Sequence, residues 1–270
     1  MDTPLPVWHN IKQNILLSME EIKRQRLDRE RFVLMQVRCN AFNDMFRSWF
    51  RDQPDKSDAF PRAGDFMRRP EIHTLLGRQD DALVDFEPFR PKFSDWTAEW
   101  REGCSEKLRD TVRNSQAFKN HAFPTNTDPL SLASVLLTCK SCNFSSTQPP
   151  PMYPALLTHD CLYEHVHNWP LEADPLDRAI MASITIFPYL SYRSWSCERL
   201  EIGTWHERAS IIIRAYGKDP MTTTKTEMDK ANIRLWCDDC TDPCKHKRQV
   251  FRWRGAVCQI YIFLMLRYLR

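Results

Sequence analysis

The chain has 270 residues, 42% of them hydrophobic and 27% charged, with a formal net charge of +3 at pH 7. This is a globular balance with enough chain to bury a sizeable core; it excludes intrinsic disorder, and so small a charge makes no case for nucleic acid by itself. Only six glycines occur, no two within ten residues of each other, which excludes dinucleotide-binding turns and phosphate loops, both of which need clustered glycines.

Residues 7–52 carry two apolar rows at helical spacing: Trp8, Ile11, Ile15, Met19 and Ile22, then Met35, Cys39, Phe42, Phe46 and Trp49. The pattern predicts one long helix, or two with a break near Asp28. Between the rows Lys23, Arg24, Arg26, Arg29 and Arg31 are interleaved with Glu20, Glu21, Asp28 and Glu30. Opposite charges at pairing distance favour a solvated helix face over a phosphate-binding one. Residues 53–58 end this helix, Pro61 opens the next segment, and a short helix is expected over 71–78. After an irregular connection at 79–92, Ser94 is expected to N-cap a helix reaching about residue 114. Its Trp96, Trp100, Cys104, Leu108 and Val112 form a row at i,i+4 that should face the core. Residues 1–118 are therefore expected to form an all-helical region.

The following region, residues 119–270, holds the strongest chemical signal. Cys139-Lys-Ser-Cys142 is followed, sixteen residues on, by His159-Asp-Cys161. Thiolate and imidazole are ligands that zinc prefers, and a Cys-x-x-Cys turn sets two sulfurs on one side of a tight loop. His159 and Cys161 would point to one face if the backbone there were extended. Three cysteines and one histidine make a closed structural set with no position open for substrate. Leu136 and Leu137, just before the turn, suit a short strand, and the proline-rich stretch 148–154 reads as a stiff spacer within the metal loop. His165 and His167 alternate as strand ligands could, although such pairs are common on surfaces.

Residues 171–203 carry no clear period, and Trp205 to Tyr216 read as a helix with Ala209, Ile212 and Ile213 inside. Thr224-Lys-Thr-Glu227 is a capping box that starts a further short helix. Then come Cys237-Asp-Asp-Cys240, a basic loop at 245–248, a strand at 250–253 and an apolar helix. A cysteine turn, a strand and a helix is the order of a small zinc finger. Cys258 is the one candidate ligand on that helix, with Cys244 and His246 as alternatives from the loop. One complete zinc site is thus expected, and a second that is weak or absent. The two Cys-x-x-Cys turns could instead combine into one all-cysteine site.

The fold class expected from these elements is α+β, mostly helical, with a zinc-stabilised C-terminal half. Nothing at the start reads as a secretory signal, and the apolar run 260–266 is too short to span a bilayer. Ten cysteines then point to metal ligands or buried thiols in a reducing, intracellular setting. The functional expectation is a non-enzymatic module for a protein partner, with no membrane association and no small-molecule substrate. The alternative is a nucleic-acid binder using Lys245, Lys247, Arg248, Arg252 and Arg254 on the C-terminal finger. An enzyme is disfavoured because Pro243-Cys244 lacks the second cysteine, three residues on, that a zinc deaminase would need.

Several stretches together resemble an expanded family of uncharacterised mushroom (basidiomycete) F-box-like proteins with paired Cys-x-x-Cys motifs. They are Leu132-Ala133, Cys139-Lys-Ser-Cys142, Tyr153-Pro-Ala-Leu-Leu-Thr-His159-Asp-Cys161, Asp219-Pro-Met-Thr-Thr-Thr224, Glu227-Met-Asp229, Cys237-Asp-Asp-Cys240 and Trp253-Arg-Gly-Ala-Val257. The resemblance implies a substrate adaptor of the ubiquitin-ligase type. In that family a histidine commonly follows the Trp-Arg-x-Ala-Val stretch, where this chain has Cys258, and an F-box opening of the Leu-Pro-x-Glu kind is absent here.

Overall fold

A computed structural model of the chain describes residues 5–54, 59–119, 123–142, 150–163, 174–184, 195–237, 250–259 and 266–268. The described residues are mostly helical, with a few short antiparallel strands after residue 136, which makes the fold α+β. The chain packs as two units that interleave in sequence. Unit 1 comprises Met1–Pro54, Arg62–Phe93 and His165–Ser194; unit 2 comprises Asp55–Pro61, Ser94–Glu164 and Trp195–Arg270.

Unit 1 is built on α1 (Leu5–Arg51), one continuous helix with no break at Asp28. Its C-terminal part buries Met35, Cys39, Phe42, Phe46 and Trp49, the second of the two rows seen in the sequence. Residues 8–31 are exposed on every side, Trp8 and Ile15 included. The ion pairs there are local: Arg24 with Glu21 (2.6 Å) and Asp28 (3.5 Å), and Arg26 with Glu30 (3.6 Å). Two short helices, α2 (Ala63–Met67) and α3 (Pro70–Leu76), and a 3₁₀ turn, Glu87–Lys92, complete the layer around α1. Phe42, Phe46, Trp49, Phe66, Phe86 and Phe93 interlock, with Phe66–Phe93 at 4.8 Å and Phe42–Phe86 edge-on at 5.3 Å.

A buried cation ties the loop after α3 to α1. The Arg38 guanidinium donates to the backbone carbonyls of Leu76 (3.4 Å), Arg78 (2.6 Å) and Ala82 (3.0 Å), and also to that of Asp80. It is the planar fork of five donors that allows one side chain to hold several carbonyls at once.

Unit 2 begins along α4 (Phe93–Arg113). Ser94 is not its cap. The 3₁₀ turn runs straight into the helix through Phe93, whose own backbone is already helical (φ −64°, ψ −31°), so no extended cap residue intervenes. Cys104, Leu108 and Val112 bury into one cluster with Leu137, Cys139, Leu157, Cys161 and Leu200, and this is why the fourth helix belongs with the cysteine-bearing residues. α5 (Pro175–Ile184) belongs to unit 1, where it packs along α1. Both α5 and the strand at Leu200–Ile202 lie in the stretch whose sequence shows no clear period.

The strands form two small antiparallel sheets. In the first, β1 (Leu137–Cys139) pairs with β2 (Leu200–Ile202), with Cys139 opposite Leu200. In the second, β3 (Arg234–Cys237) lies between β4 (Val250–Arg252) and β5 (Leu266–Tyr268). Trp253 opens a helix, α8 (Trp253–Gln259), rather than ending the strand. Two more helices pack in this unit, α6 (Thr204–Ala215) and α7 (Lys225–Ala231). Gly217 (φ +79°) closes α6: its N–H reaches the Arg214 carbonyl at 2.8 Å and the Lys218 N–H reaches Ile213 at 3.1 Å. This double bond needs a left-handed residue, which glycine adopts without Cβ strain.

Candidate metal centre

The approach to the site is held from several directions. Asp128 caps the 3₁₀ turn Pro129–Ser131 by accepting from the Leu130 N–H at 3.0 Å, and it also receives Arg109 of α4 at 3.2 Å. The Lys225 ammonium donates to the Leu130 carbonyl at 2.8 Å, and the Ala133 N–H donates to the Thr223 carbonyl at 2.9 Å. Ser134 donates to the Pro220 carbonyl at 2.7 Å, while its own carbonyl lies 2.8 Å from Nδ1 of His206. With the entry fixed this way, β1 can end on Cys139 in a defined place.

At Cys139 the chain turns back sharply. The Cys142 N–H donates to the Cys139 carbonyl at 3.2 Å, which sets the sulfur two residues beyond Lys140 on the same side as the first. The Lys140 N–H donates to the Arg199 carbonyl at 2.8 Å, extending the β1–β2 pairing by one step. The other two ligands arrive on a pair of 3₁₀ turns, Ala155–Thr158 and Asp160–Tyr163, with His159 between them in extended conformation (φ −63°, ψ 124°). The condition for His159 and Cys161 to share a face by strand alternation, an extended backbone through both, is not met. Only His159 is extended. Cys161 sits in a 3₁₀ turn, whose tight winding swings its side chain back toward the histidine. The Leu162 N–H donates to the His159 carbonyl at 3.0 Å, and the Ser196 N–H to the Leu162 carbonyl at 3.1 Å.

Together these elements bring Cys139, Cys142, His159 and Cys161 into one cluster, their four ligand atoms all within 4.8 Å of one another. Cys142 Sγ lies 3.1 Å from His159 Nε2 and 3.1 Å from Cys161 Sγ. Atoms bound at about 2.0–2.3 Å to a common ion with tetrahedral angles stand roughly 3.5–3.8 Å apart. The observed spacings bracket that edge, so the set fits a tetrahedral ion with small adjustments. Cys139 and Cys161 are buried in the apolar cluster with Leu156, Leu162, Tyr163 and Trp195, whereas Cys142 and His159 are half-buried. Three thiolates around a divalent ion carry a net charge of −1. Arg199 places its guanidinium 3.5 Å from the Cys161 carbonyl, where a cation is favourable.

Arg199, Trp195 and β2 were not marked as site elements by the sequence. A three-residue strand is too short for a period to emerge, and only its pairing with β1 shows what it braces. The second ligand group falls outside the described residues: Cys240, with Cys244 and His246, and the side chains of Cys237 at the end of β3 and of Cys258 in α8. His165 and His167 lie outside them too, as do Lys245, Lys247 and Arg248 of the basic loop. Among the described residues no helix is long and apolar enough to cross a membrane.

Compared with models of protein families, with curated proteins and with solved structures, the chain has no match.

Proposed function

We propose that this chain is a non-enzymatic, intracellular protein-interaction module whose second unit is stabilised by a structural zinc ion held by Cys139, Cys142, His159 and Cys161. The observation that carries the reading is the convergence of four protein ligands on one point. Four protein ligands complete a tetrahedral shell, which leaves no place for the activated water or substrate of a catalytic zinc. Three sulfurs and an imidazole favour zinc among divalent ions, since hard cations prefer oxygen. Burial of Cys139 and Cys161 against the core of unit 2 supports a structural role, because loss of the ion would then loosen the same residues that pack the unit.

The partner is proposed to be a protein, and by resemblance the module serves as a ubiquitin-ligase-type substrate adaptor. Metal analysis of the purified chain tests the first half of the proposal: one tightly held zinc per chain is expected, retained through dialysis and lost with His159→Ala. Retention of that zinc in His159→Ala would remove His159 from the ligand set. Affinity capture from the native cell tests the second half, with ligase subunits expected. Recovery of nuclease-sensitive material instead, with binding that falls steeply with added salt, would overturn the protein-partner reading in favour of nucleic acid.

A further inference from the structure

The N-terminal half of α1 exposes a run of large apolar side chains that the fold of unit 1 does not use. Trp8, Ile11, Ile15, Met19 and Ile22 expose between 44% and 65% of their surface. At about 100° per residue these five fall within an arc of roughly 80°, one narrow stripe. The same helical wheel puts Met35, Phe42, Phe46 and Trp49, the buried row, on the opposite side. The stripe is thus not an outward continuation of the core face, and no rearrangement of residues 35–49 would cover it.

We propose that this stripe is an antiparallel pairing surface for a second copy of the same chain. Its register is self-complementary about Ile15: Trp8 meets Ile22 of the second copy, Ile11 meets Met19, and Ile15 meets itself. A two-fold interface requires this kind of reciprocity. Charge selects the direction. Arg26 and Arg29 lie on the same stripe just beyond Ile22, and in a parallel, in-register pair each would face its own copy across an apolar seam, an unfavourable contact. In the antiparallel pair the same register sets Arg26 and Arg29 opposite positions 4 and 1 of the second copy, which are Pro4 and Met1 in the sequence, so neither arginine faces its own copy. The five side chains, with the flanking stems of Lys12 and Lys23, offer at most about 1,200 Å² over both copies, at the lower end of specific interfaces. The pairing is therefore reversible and concentration-dependent. A lipid surface is a poorer occupant because Glu20, Glu21, Asp28 and Glu30 are mixed with the basic residues of this half, where an anionic bilayer favours a predominantly basic face.

Sedimentation or light scattering of the full chain across a wide concentration range tests the proposal. The expected result is a shift from 32.0 kDa toward twice that mass. Ile15→Glu sets two carboxylates face to face at the centre and should weaken the dimer about a hundredfold or more, with helicity and zinc content unchanged. Leu17→Glu, on the other side of the exposed helix, should leave it intact. For orientation, a mixture of Trp8→Cys and Ile22→Cys chains should form a disulfide between positions 8 and 22 under mild oxidation, located by mass spectrometry. A chain that remains monomeric at the highest concentration overturns the proposal, as does a dimer indifferent to Ile15→Glu. A disulfide joining position 22 to position 22 would overturn the antiparallel arrangement, and a monomer that sediments with anionic vesicles would replace the second copy with lipid.

Discussion

Cys142 is the least buried of the three candidate thiol ligands, and its sulfur is in short contact with both His159 and Cys161. Cys142→Ser is the cleanest removal of a ligand, because serine keeps the size and loses the thiolate. Binding free energy for a structural zinc is of order 10 kcal/mol and is realised as folding free energy. The expected outcome is loss of zinc by native mass spectrometry together with loss of the folded signal of unit 2. A variant that stays folded with its zinc unchanged would count against the ligand assignment. Lys225 offers a second test at this scale. Burial, and then the nearby Arg254 charge, pull its ammonium down to about 8 from 10.5, against the opposing influence of Asp128 and Asp229. The folded-state value lies below the unfolded one, so the cost of burying the charge is fully present below pH 8. It is relieved as pH rises toward 10.5, where the unfolded chain also releases its proton. Stability should therefore rise with pH across that window, by at most about 3 kcal/mol. Comparison with Lys225→Met isolates this contribution from that of the metal ligands: the rise should be flatter in the variant, and equal slopes would refute the assignment.

Among the elements, α7 is the one whose start is most fully specified locally. Thr224 accepts from the Glu227 N–H at 3.2 Å while the Glu227 carboxylate accepts from the Thr224 N–H at 2.7 Å, a reciprocal capping box. That hydrogen bonding holds the Glu227 carboxyl below its usual range. The helix is short, and it presents Asp229 to the Trp253 indole N–H at 2.8 Å and to the Arg254 guanidinium at 2.5 Å, a clasp between α7 and α8. Thr224→Ala should cost about 1 kcal/mol, read as a lower denaturation midpoint at unchanged slope. No change in midpoint would mean that the helix start is held by its tertiary contacts alone, chiefly the bridge between Leu132 and Thr224. The same clasp bears on Arg254, one of the basic residues of the C-terminal stretch. Arg254 is engaged by Asp229 and lies over the Trp253 ring at 5.4 Å, so it reaches phosphate only at the expense of that ion pair.

In the molecule as a whole, the Cys/His cluster belongs to unit 2, which also contains α4 from Ser94 onward. Chelation should act on one unit at a time. Removal of zinc at neutral pH is expected to make residues of unit 2 susceptible to protease while the α1 core, built on Phe42, Trp49, Phe66 and Phe93, stays protected. Heating the chain without metal should then give two transitions, as partly independent cores do. One cooperative loss of both units on chelation would show that the interleaved segments couple them fully.

What the sequence determined was local chemistry and local period. Cys139, Cys142, His159 and Cys161 could be grouped as one candidate metal-binding set because residue identity and close spacing are properties of the chain itself, and the structure brings the four together. The buried row of α1, the inner face of α6 and the Thr224 box were legible for the same reason, since residues three or four apart meet on any helix. The tertiary structure decided what depends on distant partners. Whether α1 breaks at Asp28 is left open by a charged stretch that suits either form; the structure makes it one helix with locally paired charges. The brace of β2 and Arg199 behind the site was invisible because its meaning lies in pairing with β1, some sixty residues away in a three-residue register. The grouping of α4 with the cysteines and of α5 with α1 likewise depends on which apolar faces find each other. Side-chain burial is a sum over the whole fold, and no window of sequence contains that sum.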